Sequence, residues 1–114
     1  MAGPLSGVRI LDLSNVLMGP YATQTLGDMG ADVVKVEPPD GDGVRNASPG
    51  RHPGMGHLYL NHNRNKRSVV LNLKHPTGRE AAMRLARQSD VLVSNVRPQA
   101  LARLGLAYAN VAAL

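Results

Sequence analysis

Apolar residues along this chain come in short blocks separated by polar turns, and the blocks alternate between two periods. Residues 8–13 (VRILDL) form a short, mostly apolar run with the character of a buried strand. Gly19-Pro20 then marks a helix start, with proline at its first position, and the helix is expected to run from Pro20 to about Met29 and stop at Gly30. Residues 32–36 (DVVKV) are rich in β-branched side chains and read as a second strand. A long stretch over residues 37–55 follows, punctuated by Pro38, Pro39, Gly41, Gly43, Pro49, Gly50, Pro53 and Gly54, and reads as a loop.

The pattern then repeats. Residues 68–73 (SVVLNL) form a third strand-like run. Thr77 and Glu80 have the spacing of a capping box, and Ala82, Leu85 and Ala86 place an apolar stripe on the helix that follows. Residues 91–94 (VLVS) read as a fourth strand, and residues 98–104 as a helix ended by Gly105. The order β-α-β-loop-β-α-β-α with apolar strands predicts an α/β fold: a Rossmann-like parallel sheet with flanking helices. Residues 108–114 look like the opening of a further helix without a stop signal. The expectation is therefore an incomplete, truncated N-terminal part of a larger domain.

Composition narrows the picture in three ways. The chain has 114 residues, one domain at most, and no cysteine, so a disulfide scaffold and a thiolate metal site are excluded. It opens without the features of a secretory signal and contains no run near the ~18 apolar residues that span a bilayer, so no membrane partner is expected and the expected location is cytoplasmic. Charge is unevenly spread. Residues 1–44 hold two cations and six acids, residues 45–114 eleven cations and two acids, which points to an anionic partner for the second part or to compensating acids elsewhere.

The densest cationic stretch is residues 61–74, where Arg64, Lys66 and Arg67 precede the third strand and Lys74 follows it. Ligands of open α/β sheets bind at strand ends, and cations placed there suit phosphates. The turn at residues 14–20 and the segment Asn95, Val96, Arg97, Pro98 occupy matching places after the first and fourth strands, with Asn95 a candidate helix cap. Nucleic acid is a weak rival partner, because three Tyr without Phe or Trp give few stacking platforms. His52, His57, His62 and His75 lack metal-binding spacing, and neither Ser14 nor Ser94 sits in a nucleophile elbow. Asp12 reads as a structural hydrogen-bonding partner.

Taken in order, these segments resemble the N-terminal part of the family III CoA-transferases, the group of formyl-CoA transferase, carnitine CoA-transferase and the α-methylacyl-CoA racemases. The matching stretches are PLSGVRILDL (residues 4–13), Gly19-Pro20, LGDMGADVVKVEP (26–38), NRNKRS (63–68), LNLK (71–74), NVRP (95–98) and RLGL (103–106). The resemblance implies coenzyme A or an acyl-CoA as substrate, a carboxylic acid as its partner, and no permanently bound cofactor. It places Leu17 and Met18 against CoA and has Leu71, Asn72, Leu73 and Lys74 cradle the adenosine end. Asn95, Val96 and Arg97 would line the same groove, and Arg103 would pair with a CoA phosphate.

In the full-length family a nucleophilic Asp attacks the thioester to give an enzyme-bound anhydride and then an enzyme–CoA thioester. That Asp and the glycine-rich loop over it lie in a later segment, so the resemblance implies no catalytic residue here and no turnover by the isolated chain. It also implies an interlocked homodimer for full-length members. Leu17 stands where formyl-CoA transferases carry Gln, and Pro38 where they carry a cation, which argues against strict formyl or oxalyl specificity. The alternatives are the racemase branch, in which a His and an acid exchange the α-proton, and a non-catalytic CoA-binding remnant.

Overall fold

In the computed structural model, which describes residues 2–114, four parallel strands form one sheet: β1 (Arg9–Asp12), β2 (Asp32–Glu37), β3 (Lys66–Val70) and β4 (Val91–Val93). Their order is β3-β2-β1-β4. Helices connect them: α1 (Met18–Asp28), α2 (His57–His62), α3 (Pro76–Arg87), α4 (Pro98–Arg103) and α5 (Tyr108–Val111). The expected α/β parallel sheet with flanking helices is present.

The two faces of the sheet differ. Leu11, Leu13, Val34 and Val36 point to one side and pack with Ala82 and Leu85 of α3, Leu101 of α4, Leu104 just beyond it, Leu106 and Val111. Fully burying one Leu or Val side chain, as at Leu11, Leu13, Val36 and Leu106, contributes about 1.5–3 kcal/mol. The other face begins apolar, with Ile10 and Val33 packed against Leu26 of α1. It then turns ionic toward the strand ends, where Asp12, Lys35 and Glu37 are buried to within 1% exposure. Period-2 alternation puts these residues on one side, and the register sets Asp12 beside Lys35 and Lys35 beside Ser68.

Several local expectations change. Helix α1 starts at Met18, so Pro20 is its third residue rather than its first. That position is tolerated because the first four helical N–H groups have no internal partner. The capping box at Thr77 does not form. His75 caps α3, its Nδ1 accepting from the Thr77 N–H at 3.2 Å, because Pro76 fits the first helical position and starts the helix earlier. The third strand is displaced: it begins at Lys66 and ends at Val70, leaving Leu71, Asn72 and Leu73 in the turn beyond it. The long loop ends at α2, and within it Gly43–Arg45 makes one 3-10 turn. Gly30 and Gly105 do end their helices, in left-handed conformations that favour glycine. Among the described residues no helix is long and apolar enough to cross a membrane.

Candidate functional site

The chain reverses its direction of travel across the sheet between β1 and β4, because β2 and β3 lie to one side of β1 and β4 to the other. Open α/β sheets bind ligands outside the carboxyl ends of the strands at such a switch point. At this edge lies a cleft of about 430 Å³. Its walls are Leu13, Val36, Leu101 and Leu104 on the apolar side, the turn of Leu71, Asn72, Leu73 and Lys74, and Val96. Pro38, Pro39 and Asp40 form the opposite rim.

The turn at residues 71–74 is shaped by its neighbours. The Leu71 N–H donates to the Glu37 carbonyl at 3.0 Å, extending the β2–β3 pairing, and the Lys74 N–H donates to the Asn72 side chain at 3.1 Å. Helix α3 presses against this turn: a Cβ on Gly78 would lie 2.0 Å from the Asn72 carbonyl oxygen, so any side chain there would push the cleft wall aside. Lys74 itself is exposed, and its side chain makes no ion pair among the described residues.

The ionic face forms a closed network whose Lys35, Glu37 and Asp42 reach the cleft floor. Asp12 accepts from the Ser14 N–H at 2.9 Å, the Ser14 hydroxyl, the Thr23 hydroxyl at 2.6 Å and Lys66 Nζ at 3.1 Å. Burial alone raises a carboxyl pKa, but the Ser14, Thr23 and Lys66 donors outweigh it and hold Asp12 below its ordinary value. Lys66 Nζ also donates to the Pro20 carbonyl at 2.9 Å and Asn63 at 2.9 Å. Burial pushes Lys66 below the usual lysine value, and Asp12 offsets this only in part. Lys35 pairs with Asp42 at 2.7 Å and donates to the Ser14 carbonyl at 3.1 Å.

Glu37 meets Arg45 through two bonds of 2.7 Å, the Asp42 N–H at 2.7 Å and the Ser68 hydroxyl. Burial works against its charge, yet Arg45, Ser68 and the Asp42 N–H bring its pKa down to about 2. The Arg45 guanidinium also stacks on the Tyr59 ring, 3.7 Å from its centroid. No buried side-chain nitrogen or oxygen among the described residues lacks a partner.

The sequence-predicted site residues therefore separate. Leu71, Asn72, Leu73, Lys74 and Val96 line one cleft. Asn95 stands beside it but does not cap α4, whose N-cap is Arg97 without a side-chain bond. The Asn95 amide instead holds both sides of Asn15, accepting from its N–H at 3.1 Å and donating to its carbonyl at 2.7 Å. Leu17 and Met18 are exposed at the start of α1, outside the cleft lining. Arg97 and Arg103 are exposed and also outside it. Arg103 lies roughly 130° around α4 from the side that Leu101 and Leu104 turn to the cleft.

The three cations before the strand are not ligand-facing in the expected way. Lys66 is 2% exposed and bound to Asp12, Arg67 pairs with Asp32 at 2.7 Å, and Arg64 pairs with Asp28 at 2.7 Å. Acids of the first third of the chain thus neutralise cations of the second. The pairs Lys35–Asp42 and Glu37–Arg45 escaped sequence reasoning. Their signal was the spacing of two oppositely charged residues on one face of β2 against an opposite pair in the next turn, Lys35-x-Glu37 with Asp42-x-x-Arg45.

With this geometry in place, the comparisons with known proteins are decisive. The profile described as CoA-transferase family III matches residues 5–114. The chain belongs to that family. A mouse succinyl-CoA:glutarate CoA-transferase is 46% identical over 109 residues, covering 95% of this chain and 25% of that protein. A formyl-CoA:oxalate CoA-transferase of Afipia carboxidovorans is 42% identical over 114 residues, covering 97% of this chain and 26% of that protein. Among solved structures, a CAIB/BAIF family protein from Brucella suis superposes with a TM-score of 0.93 at 36% identity, over 99% of this chain and 31% of its own. This family III chain spans between a quarter and a third of the length of these relatives.

Proposed function

We propose that the chain supplies one wall of the CoA-binding groove of a family III CoA-transferase, an enzyme that moves CoA from an acyl-CoA thioester to a carboxylic acid. The observation that carries this reading is the strand-end cleft, where Lys74 is a cation without an ion pair among the described residues, beside an apolar slot. The adenine ring packs between Leu71, Leu73 and Val96, and Lys74 meets a phosphate. Asn72 and Asn95 offer hydrogen bonds to the ribose side of the ligand. Leu17 and Met18 lie along the pantetheine, while Arg97 and Arg103 meet phosphate overhanging the rim, Arg103 with the smaller effect because of its place on α4.

The acyl anhydride is formed by an Asp outside these 114 residues. Within them, Asp12, Glu37 and Asp42 are buried and occupied by donors, Asp28 and Asp32 are ion-paired, Asp90 accepts from the Arg9 N–H, and Asp40 on the cleft rim and Glu80 on α3 are exposed to solvent. An enzyme built this way uses the present chain to bind and orient CoA, and relies on the remaining length of its relatives for the nucleophile and, as an interlocked homodimer, for closure of the groove.

Two measurements test the reading. Titrating CoA into isotopically labelled chain is expected to move the amide resonances of Leu71, Asn72, Leu73, Lys74 and Val96; shifts confined to other faces, or none, overturn it. Mixing the chain with a succinyl-CoA donor and a dicarboxylic acid acceptor is expected to give no sustained CoA transfer, and turnover would place the nucleophile inside these residues.

A further inference from the structure

We propose that Lys35 and Asp42 are positioning residues for CoA, holding the turn at residues 14–17 from below in the shape that forms the cleft wall. The inference rests on the CoA reading above, since the turn borders the cleft through Ser14 and Asn15.

The first observation is strain. Val16 has φ of 70°, a left-handed conformation in which a β-branched residue is an outlier. Such backbone persists only where its surroundings over-determine it, and it concentrates at ligand sites. The surroundings do so here. The Val16 N–H donates to Asp42 Oδ1 at 3.2 Å, the Ser14 carbonyl accepts from Lys35 Nζ at 3.1 Å, and both polar groups of Asn15 are held by Asn95. The backbone of three consecutive residues is therefore fixed by side chains from β2, the loop after it and the segment after β4.

The second observation is burial. Lys35 and Asp42 side chains are 1% and 0% exposed and lie 2.7 Å apart. A buried ion pair is often no more stabilising than an apolar pair of the same volume, so stability alone does not account for this one. What an apolar pair lacks is the acceptor for Val16 and the donor for Ser14. Asp42 also accepts from the Val44 N–H at 3.1 Å, and its own N–H reaches Glu37, so the same carboxylate ties the turn after β1 to the loop after β2. Neither side chain needs to touch CoA to act in this way.

Three variants of the full 114-residue chain test the assignment. Lys35→Met/Asp42→Leu replaces the pair with apolar groups, Lys35→Met/Asp42→Asn restores an acceptor for the Val16 N–H, and adding Val16→Gly to the first variant removes the strain. The first variant is expected to bind CoA roughly tenfold or more weakly, the loss matching one strained left-handed residue. The Asn variant is expected to recover part of that loss, because an amide oxygen accepts the Val16 hydrogen bond while the donor to the Ser14 carbonyl stays absent, and the glycine variant most of it, because glycine takes φ of 70° freely. A purely structural role would not be rescued by Val16→Gly. The Val16 backbone angle, read by NMR coupling constants without ligand, is expected to leave the left-handed region in the first variant only. Unchanged affinity and an unchanged Val16 angle in that variant overturn the proposal. If the parent chain binds no CoA, the proposed function falls and the Val16 angle alone decides the positioning role.

Discussion

Lys66 and Lys74 are eight positions apart at the two ends of one segment, β3 and its following turn, and they have opposite fates. Lys66 points inward, is 2% exposed, and satisfies Asp12, Asn63 and a carbonyl beneath the cleft. Lys74 sits on the rim, exposed and without an ion pair among the described residues. Both are cations near a strand end, so local charge does not separate a residue that holds the fold from one that is left exposed at the cleft and proposed to meet a ligand. The difference lies in where the compensating acid stands. For Lys66 it is 54 residues earlier in the chain, one strand beyond its neighbour; for Lys74 no acid among the described residues lies in ion-pair range, which leaves it open to the anionic ligand proposed above.

The contrast breaks first at Asp12. Asp12→Ala strands a buried ammonium and two hydroxyls, and is expected to cost about 3–5 kcal/mol. In a domain with 5–15 kcal/mol of total stability that is enough to lower the urea midpoint sharply. A midpoint near the parent value would mean that water replaces the carboxylate. The same network carries a pH signature through Glu37. Its folded pKa of about 2 lies below the 4.5 of the free side chain. The stability it contributes, about 3 kcal/mol by linkage, is present above pH 4.5 and lost as the pH falls toward 2. Urea melts across that window are expected to weaken steeply for the parent chain and less steeply for Glu37→Gln; parallel curves would remove Glu37 from the account.

Smaller effects sharpen the boundary between the two regions. Arg64→Ala breaks an exposed pair with Asp28, the Arg64 side chain being 61% exposed, and is expected to leave the melting temperature close to that of the parent. It is also expected to leave CoA affinity unchanged, measured by the same titration used for the cleft. A large loss of affinity in Arg64→Ala would extend the ligand site onto the face of paired cations.

How much of this was legible depends on the range of the interactions. The strands at Ile10-Leu11 and Val33-Val34 announce themselves by local apolar runs, and the parallel order follows from their alternation with helices. Residues 71–74 and Val96 meet in one cleft because they follow strands of the same parallel sheet; Lys74 and the 95–98 segment were legible as strand-end groups, whereas Leu71, Asn72 and Leu73 read locally as strand and were pointed to by the family resemblance. The start of β3 was hidden, since Lys66 and Arg67 look like loop residues until Asp12 and Asp32 are brought beside them. Helix α2 is only six residues long and carries no clear period after a run of glycine and proline. Lys35 was read as part of an ordinary strand and Glu37 as the first residue of the loop, whereas β2 runs through Glu37, because nothing local shows that Asp42 and Arg45 fold back onto them.

The division between holding and binding cations meets its most direct test in a calorimetric titration of CoA into the parent chain and Lys74→Ala, with both melting temperatures recorded. The account predicts binding to the parent, affinity weakened by roughly five- to a hundredfold in the variant, and equal thermal stability. Equal affinity in the two chains, or a melting temperature that falls with Lys74, would contradict it.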